Sequence, residues 1–463
     1  MITVILKHRK EESLQRFHPW VFSGAIYRME DEFGSEVQPE EGDWVRVVSS
    51  QGEFLALGQY QIGSIAVRIF SFDEDEFDDE FFLRRLQSAY TLRQSLGLIR
   101  ADNNAYRLVH GEGDGLPGLI IDVYAHTAVM QAHTAGIHYI REALAEDLIR
   151  VAGAEIRNVY YKSETTLGYK TEARQEAEAE GSSVNGYLII DGHPVTDAAQ
   201  GRALEQSISD VAVENGLKFH VDWLKGQKTG FFVDQRENRA LVEHFARGRR
   251  VLNMFCYTGG FSFYAMRGGA ELVHSVDVSK QAISITNANV ELNYPGDSRH
   301  QAFVADAFDF LRDPQRFQSP LPLRGEAEGE ASFPYDLVIL DPPAFAKHKK
   351  VLHNALRGYQ KLNAKALERM PSGSILFTFS CSQVVTKDDF RCAVFSAAAQ
   401  VGRRVRILYQ LHQPADHPIN IYHPEGEYLK GLVLYVERYN LSKENKDLTG
   451  CMFIMVDLII VIY

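Results

Sequence analysis

The sequence predicts an α/β protein in which a doubly wound parallel sheet follows a β-rich N-terminal region. Between residues 236 and 440, β-type runs alternate with helical ones, which is typical of parallel strands joined by crossover helices. The β-type runs are residues 251–255, 272–277, 303–306, 337–341 and 375–380. A length of 463 residues is enough for roughly two to four domains, each with its own core.

Residues 1–75 are predicted to be all-β. The segments 44–48 and 65–69 alternate with a period of two residues, and glycines separate such runs throughout this region. Acidic residues at 73–80 then precede a helical segment, where negative charge suits the positive end of the helix dipole. Residues 100–235 combine short strands at 118–124 and 187–191 with one helix near 137–151.

The composition excludes several classes of protein. Hydrophobic residues make up 45% and charged residues 24%, as in globular domains rather than disordered or fibrous chains. The net charge of −12 argues against indiscriminate nucleic-acid binding but allows a local basic surface. The four cysteines form no CxxC pair, so we expect no disulfide scaffold, no metal site and a reducing cytoplasm. No apolar run reaches the length of a membrane span, and residues 1–7 resemble a strand rather than a signal peptide.

The first three strands of the alternating region end in residues suited to a nucleotide-like ligand. The first runs into a turn containing Gly259, where glycine lets the backbone approach a ligand closely. The second ends at Asp277, in the position where such folds place an acid that accepts hydrogen bonds from a ribose. The third ends at Asp306, between two alanines, and is suited to contact an adenine edge.

The fourth and fifth strands end in residues suited to chemistry on a substrate. The fourth leads into Asp341, which is followed by two prolines that lack a backbone donor and keep the chain extended in a rigid loop. The fifth ends at Cys381, which is flanked by two serines. Because ligands bind at the carboxyl edge of open α/β sheets, we interpret Cys381 as a functional residue rather than a buried apolar one.

These motifs resemble those of class I S-adenosylmethionine-dependent methyltransferases. Further motifs narrow the resemblance to the bacterial 23S ribosomal RNA cytosine-5 methyltransferases with an N-terminal PUA domain: HPWVF at 18–22, GDGLPG at 113–118, QKTGFF at 227–232, DQR at 234–236, DHP at 416–418 and PEGEYLKG at 424–431. The resemblance covers about residues 1–438. It implies a PUA β-barrel at 1–75, a small central α/β domain at 76–190 and a Rossmann-like methyltransferase domain at 191–440, with an atypical tail at 441–463.

The resemblance also implies the roles of single residues. Cys381 is placed as the nucleophile that adds to cytosine C6, and Asp341 as a carboxylate near the base or the methionine end of S-adenosylmethionine. The remaining residues expected to bind this cofactor are Arg236, Asn253, Phe255, Tyr257, Gly259, Asp277 and Asp306. Many RNA cytosine-5 methyltransferases have a second cysteine where this chain has Pro343, which leaves open the base that removes the C5 proton.

The expected partner is large-subunit ribosomal RNA, and a homodimer is left open. Basic side chains in the loop before Arg236 and directly after the Pro-Pro loop are suited to contact phosphates, which positions RNA without reading its sequence. The candidates are Lys228, Lys347, Lys349 and Lys350. Two alternatives remain at this point: a methyltransferase that acts on an exocyclic amine of adenine or guanine, and a catalytically silent RNA-binding module.

Overall fold

The computed structural model describes residues 1–73, 77–168, 175, 183–196, 208–317, 333–346 and 348–438. The Glu- and Ala-rich segment 173–180 apart from residue 175, the segment 319–332, expected from its polar sequence to be a surface loop, and the tail 441–463 lie outside these residues. Lys347 also lies outside them.

Six strands form the N-terminal sheet, with the order β2-β6-β5-β4-β1-β3. The elements are β1 (Ile2–Leu6), α1 (Glu12–Gln15), β2 (Trp20–Phe22), β3 (Ile26–Glu30), β4 (Trp44–Val48), β5 (Phe54–Tyr60) and β6 (Ile65–Ser71). Strands β1 and β4 are parallel, and the other neighbours are antiparallel. Alternate side chains such as Val45 and Val47 are fully buried in one core, as the period of two predicts.

A second six-stranded sheet has the order β12-β11-β10-β9-β8-β7. The elements are α2 (Phe81–Ser95), β7 (Ala105–His110), β8 (Leu119–Tyr124), β9 (Thr127–Ala132), α3 (Ala135–Tyr139), α4 (Arg141–Ala152), β10 (Asn158–Tyr161), β11 (Gly186–Ile190) and β12 (His193–Pro194). The prediction of a single helix near 137–151 is wrong, because two separate helices, α3 and α4, occupy this range. Arg141 Nη1 donates to the carbonyl oxygen of His138 at 2.8 Å. In a continuous helix this oxygen would accept from a backbone N–H one turn further on.

The remaining described residues form a β-hairpin and a seven-stranded sheet with helices between its strands. The elements are β13 (Val211–Glu214), β14 (Leu217–His220), α5 (Arg236–Phe245), β15 (Arg250–Met254), α6 (Gly260–Arg267), β16 (Leu272–Asp277), α7 (Lys280–Asn293), β17 (His300–Val304), α8 (Ala307–Arg312), β18 (Leu337–Leu340), α9 (Leu352–Arg369), β19 (Ser374–Ser380), α10 (Lys387–Gln400), β20 (Arg403–His412) and β21 (Lys430–Arg438).

The seven strands have the order β17-β16-β15-β18-β19-β21-β20, with β15 to β19 parallel. Strand β21 pairs antiparallel with both β19 and β20. Both faces are covered: Val338 and Leu340 pack in one core, and Leu337 and Ile339 pack in the other. This arrangement confirms the doubly wound α/β fold. The third predicted strand was misplaced, because β17 ends at Val304 and leaves Asp306 to begin a helix.

A buried ion-pair network joins the central sheet to the seven-stranded domain. Arg93 is 0% exposed and donates to Asp114 Oδ2 at 2.9 Å, to the carbonyl of Arg107 at 2.8 Å and to the carbonyl of Asp416 at 2.7 Å. Charged groups are buried in proteins only when such partners replace water. The network therefore fixes how the two domains sit against each other.

None of the described helices is both long enough and apolar enough to cross a membrane.

Removal of Arg93 should destabilise the chain strongly. Arg93→Ala leaves the carboxylate of Asp114 buried without its guanidinium, and breaking such a pair costs about 3–5 kcal/mol. Denaturant unfolding of the full chain measures the change. The matched control is Arg391→Ala, which removes an exposed pair with Asp388 and should cost less than about 1 kcal/mol. Equal losses in the two variants would contradict the prediction.

Candidate active site

The turn after β15 begins helix α6 directly at the carboxyl edge of the sheet. Phe255 and Tyr257 have φ angles of 58° and 47°, and Gly259 has a φ of 87°. A Cβ atom on Gly259 would lie 2.6 Å from Phe263 Cζ, so only glycine fits without displacement. The sharp turn presents the backbone N–H groups at the start of α6 to this edge.

Asp277 lies beside this turn at the end of β16. Its Oδ2 accepts from the backbone N–H of Tyr257 at 3.0 Å, and its Oδ1 accepts from that of Ser279 at 2.9 Å. The carboxylate is only partly buried. Nearby, the hydroxyl oxygen of Thr258 is buried without a hydrogen-bond partner among the described residues. An oriented carboxylate and an unused hydroxyl fit the polar groups of a nucleoside.

Two other residues expected at the cofactor have structural contacts. Asp306 is exposed and caps α8, with Oδ1 accepting from Phe308 N at 2.8 Å and Asp309 N at 3.1 Å. Asn253 is 0% exposed and donates from Nδ2 to Ser262 Oγ at 2.9 Å, which holds α6 against β15. A contact of either residue with the cofactor stays a prediction.

The expectation that Arg236 offers its guanidinium to the cofactor carboxylate needs correction. Arg236 is 2% exposed, and its Nη1 donates to Asp416 Oδ2 at 2.9 Å while its Nη2 donates to Glu237 Oε1 at 3.1 Å. Burial opposes its charge, but the neighbouring Asp416 raises the pKa of Arg236 above its usual value. The guanidinium is therefore a buried structural cation.

The structure brings Asp341 and Cys381 to adjacent strand ends. Asp341 follows β18 and Cys381 follows β19, and both side chains are partly accessible. A hydrogen bond of 2.6 Å from Ser382 Oγ to the carbonyl of Ala346 joins the two loops. Gln235 Nε2 donates to Asp341 Oδ2 at 3.0 Å and so orients the carboxylate.

A buried lysine supports the loop that carries Cys381. Lys430 Nζ donates to the carbonyls of Ser382 and Val385, each at 2.6 Å. Burial lowers the pKa of Lys430 to about 8, although the nearby Cys381 acts in the opposite direction. The lysine fixes the backbone on one side of the thiol and brings positive charge close to it.

The pKa values of the two reactive groups lie far from their usual ranges. Burial raises the pKa of Asp341 to about 7, and the negative charge of Asp234 acts in the same direction. Burial raises the pKa of Cys381 to about 11, with a further contribution from Asp341 and an opposing one from Lys228. A carboxyl that titrates near neutral pH beside a cysteine can act as a general base.

Three of the lysines predicted to contact RNA lie within the described residues, and all three are exposed. Lys228 is exposed, and its Nζ lies 5.0 Å from the centre of the Phe232 ring. Lys349 and Lys350 are exposed in a short 3-10 helix before α9. All three are free to reach a phosphate, and this contact stays a prediction.

Sequence reasoning missed three groups of this site: Asp234, Gln235 and Lys430. The first two stand beside Arg236 in a motif that was read for its arginine alone. Lys430 begins the strand KGLVLYV, and because lysine is rarely buried without partners, no local signal marks it as a buried amine.

Comparison with known proteins gives a consistent assignment. Residues 173–418 match the family model described as S-adenosylmethionine-dependent methyltransferase, and residues 4–72 match a PUA-like domain. A ribosomal RNA large subunit methyltransferase I from Shewanella denitrificans is 38% identical over 94% of this chain and 99% of its own. The protein of that name from Tolumonas auensis is 38% identical over 93% of this chain and 98% of its own.

Solved structures share the fold. A putative SAM-dependent methyltransferase from Streptococcus mutans superposes with a TM-score of 0.72 at 21% identity, covering 94% of this chain and 100% of that one. A putative methyltransferase complexed with SAH superposes equally well, with a TM-score of 0.72 at 21% identity. Together with the extent of the sequence matches, these findings show that the chain belongs to the S-adenosylmethionine-dependent methyltransferase family that includes the ribosomal RNA large subunit methyltransferases I.

Proposed function

We propose that the protein forms 5-methylcytosine in large-subunit ribosomal RNA, with Cys381 as the nucleophile. The names of its relatives support ribosomal RNA as the substrate. The observation that carries the choice of cytosine C5 is a partly accessible cysteine at the end of β19, in the field of a carboxyl whose pKa is about 7. Methylation of an amine would need no such thiol.

The thiolate overcomes the low reactivity of cytosine C5. A new bond from Cys381 Sγ to C6 breaks the C5–C6 double bond and gives C5 the character of an enamine carbon. S-adenosylmethionine supplies the electrophilic methyl group. Loss of the C5 proton to a base and expulsion of the thiolate from C6 then restore the ring. The target cytosine must leave its stack in the RNA to reach the thiol.

Asp341 is suited to take the proton of Cys381. Moving this proton from the thiol to the carboxylate leaves the total charge of the pocket unchanged, which matters because partial burial penalises any added charge. Since the pKa of Asp341 is about 7, about half of the carboxyl is ionised at neutral pH and ready to accept. Lys228 and Lys430 lie near the thiol and favour its negative form.

The structure disfavours the alternative in which the Asp-Pro-Pro loop holds an exocyclic amine for methylation. That chemistry needs the aromatic residue of the loop to stack on the target base. The ring of Phe345 instead packs on Tyr359, with centroids 4.6 Å apart, and a Cβ on Gly358 would lie 2.9 Å from it. Tyr359 in turn accepts from Ser380 Oγ at 2.9 Å, which ties the ring pair to β19.

An aromatic platform joins the N-terminal domain to the segment that precedes β21. It consists of Phe17, His18, Trp20, Phe22, Tyr422 and His423. Ring centroids of Phe17 and Tyr422 are 5.3 Å apart, and both side chains are about half exposed. Gln383, two residues after the nucleophile, donates to the carbonyl of Glu425 at 2.8 Å and so connects the platform to the loop of Cys381. Bases that flank an extruded nucleotide would stack on it.

Asp277→Ala should weaken S-adenosylmethionine binding by about 1.5–3 kcal/mol, the range for a lost hydrogen bond to a charged group. Titration calorimetry measures the affinity. Asp309→Ala, which removes an exposed acid of the same domain, should leave the affinity unchanged. Unchanged affinity in a folded Asp277→Ala protein would remove Asp277 from the ribose role.

Cys381→Ala should reduce methyl transfer by several orders of magnitude, because no thiolate replaces it, while cofactor binding persists. Ribosomal RNA containing 5-fluorocytidine should trap the wild type covalently and not the variant, since fluorine at C5 cannot leave as a proton does. Cys392→Ala, on α10 and exposed, is the matched control and should behave as wild type. Near-normal formation of 5-methylcytosine by Cys381→Ala would show that the nucleophile is wrongly assigned.

Phe22→Ala and Tyr422→Ala should each weaken ribosomal RNA binding by about 1–3 kcal/mol per lost base stack, without an effect on cofactor affinity. Filter binding or fluorescence anisotropy measures the RNA affinity. Phe33→Ala is the control, because this residue is 84% exposed in the same domain but lies outside the platform. A similar effect of all three substitutions would argue against specific stacking on the platform.

A further inference from the structure

Asp234 has a buried carboxylate oxygen that the fold itself does not use. The residue is 7% exposed, and its Oδ2 accepts from the Tyr428 hydroxyl at 2.7 Å. Its Oδ1 is buried without a hydrogen-bond partner among the described residues. Leaving a buried acceptor unpaired destabilises a protein, and more so when it is charged. Such an oxygen is therefore suited to receive a donor from a ligand.

The surroundings keep this carboxylate ionised. Burial opposes its charge, but the positive charge of Lys228 and the neighbouring His417 and Tyr428 hold the pKa of Asp234 below its usual value. An ionised carboxylate accepts hydrogen bonds and donates none. The unused oxygen is therefore suited to bind a ligand group that donates a hydrogen bond and to reject one that only accepts.

The position of Asp234 is fixed beside the reactive residues. It stands in the 3-10 helix Val233–Gln235, where the next residue, Gln235, donates to Asp341 at 3.0 Å. Its other neighbour, Tyr428, lies two residues before Lys430, which holds the loop of Cys381. The charge of Asp234 also acts on both Asp341 and Cys381. These contacts place the carboxylate of Asp234 next to Asp341 and Cys381.

We propose that Asp234 Oδ1 accepts a hydrogen bond from the exocyclic amine of the target pyrimidine and thereby selects cytosine over uracil. This inference rests on the proposed function and names the residue that gives it its base specificity. Cytosine carries an NH2 group on C4, whereas uracil carries a carbonyl oxygen there, which a carboxylate repels. Sites built around a hydrogen bond to an NH or OH group reject analogues without it by about 10⁴–10⁵-fold.

The test uses Asp234→Asn in the full chain. The asparagine has the same shape and keeps an oxygen for the Tyr428 hydroxyl, but it turns an NH2 donor toward the base. We expect 5-methylcytosine formation to fall by at least about 10³-fold. Large-subunit ribosomal RNA containing 5-fluorocytidine should no longer trap the variant, and RNA containing 5-fluorouridine should trap it better than it traps the wild type.

Tyr428→Phe is the control, because it removes the hydrogen bond to Oδ2 and leaves Oδ1 in place. It should keep the preference for cytosine. S-adenosylmethionine binding, measured by calorimetry, should be equal in both variants and the wild type, because the proposed hydrogen bond is made to the target base and not to the cofactor. If Asp234→Asn keeps the wild-type ratio of 5-fluorocytidine to 5-fluorouridine trapping, the inference is wrong while the proposed function stands. If the wild type itself traps no 5-fluorocytidine RNA and makes no 5-methylcytosine, both are wrong.

Discussion

The arrangement of the domains depends on the hydrogen bonds and ion pairs that the buried carboxylate of Asp416 makes. Its Oδ2 accepts from the backbone of Arg107 at 3.0 Å and from Arg236 at 2.9 Å, and its Oδ1 lies 3.0 Å from His417 Nδ1. Burial opposes its charge, but His417 and Arg236 hold its pKa well below the usual range. One carboxylate therefore joins the central sheet, helix α5 and the segment between the last two strands. Tyr422 and His423 of the aromatic platform stand in that segment, and Gln383, two residues after Cys381, donates to its Glu425 carbonyl at 2.8 Å.

Within this frame, few hydrogen bonds set the geometry of the candidate active site. The bond from Ser382 to Ala346 holds the loops of β18 and β19 together, and Lys430 supports the second loop from beneath. Pre-formed contacts of this kind keep reacting groups in place before the substrate arrives. Beside these contacts, Asp234 Oδ1 is buried without a hydrogen-bond partner among the described residues.

The sequence was sufficient for the parts of the structure that depend on local patterns. Alternating strands and helices predicted the doubly wound sheet, and the last residues of those strands predicted that Asp341 and Cys381 would meet at one edge. Contacts between residues far apart in the sequence could not be predicted from local patterns. Arg236 was misassigned because its partner, Asp416, lies 180 residues away. Lys430 was overlooked because burial and the carbonyls that it binds exist only after folding.

The high pKa of Cys381 has a consequence for the lifetime of the enzyme in a cell. With a pKa of about 11, only about one molecule in ten thousand carries a thiolate at pH 7. Peroxide and electrophilic metabolites react with thiolates rather than with thiols. The resting protein therefore keeps the sulfur of Cys381 almost entirely as a thiol, the form that resists oxidation.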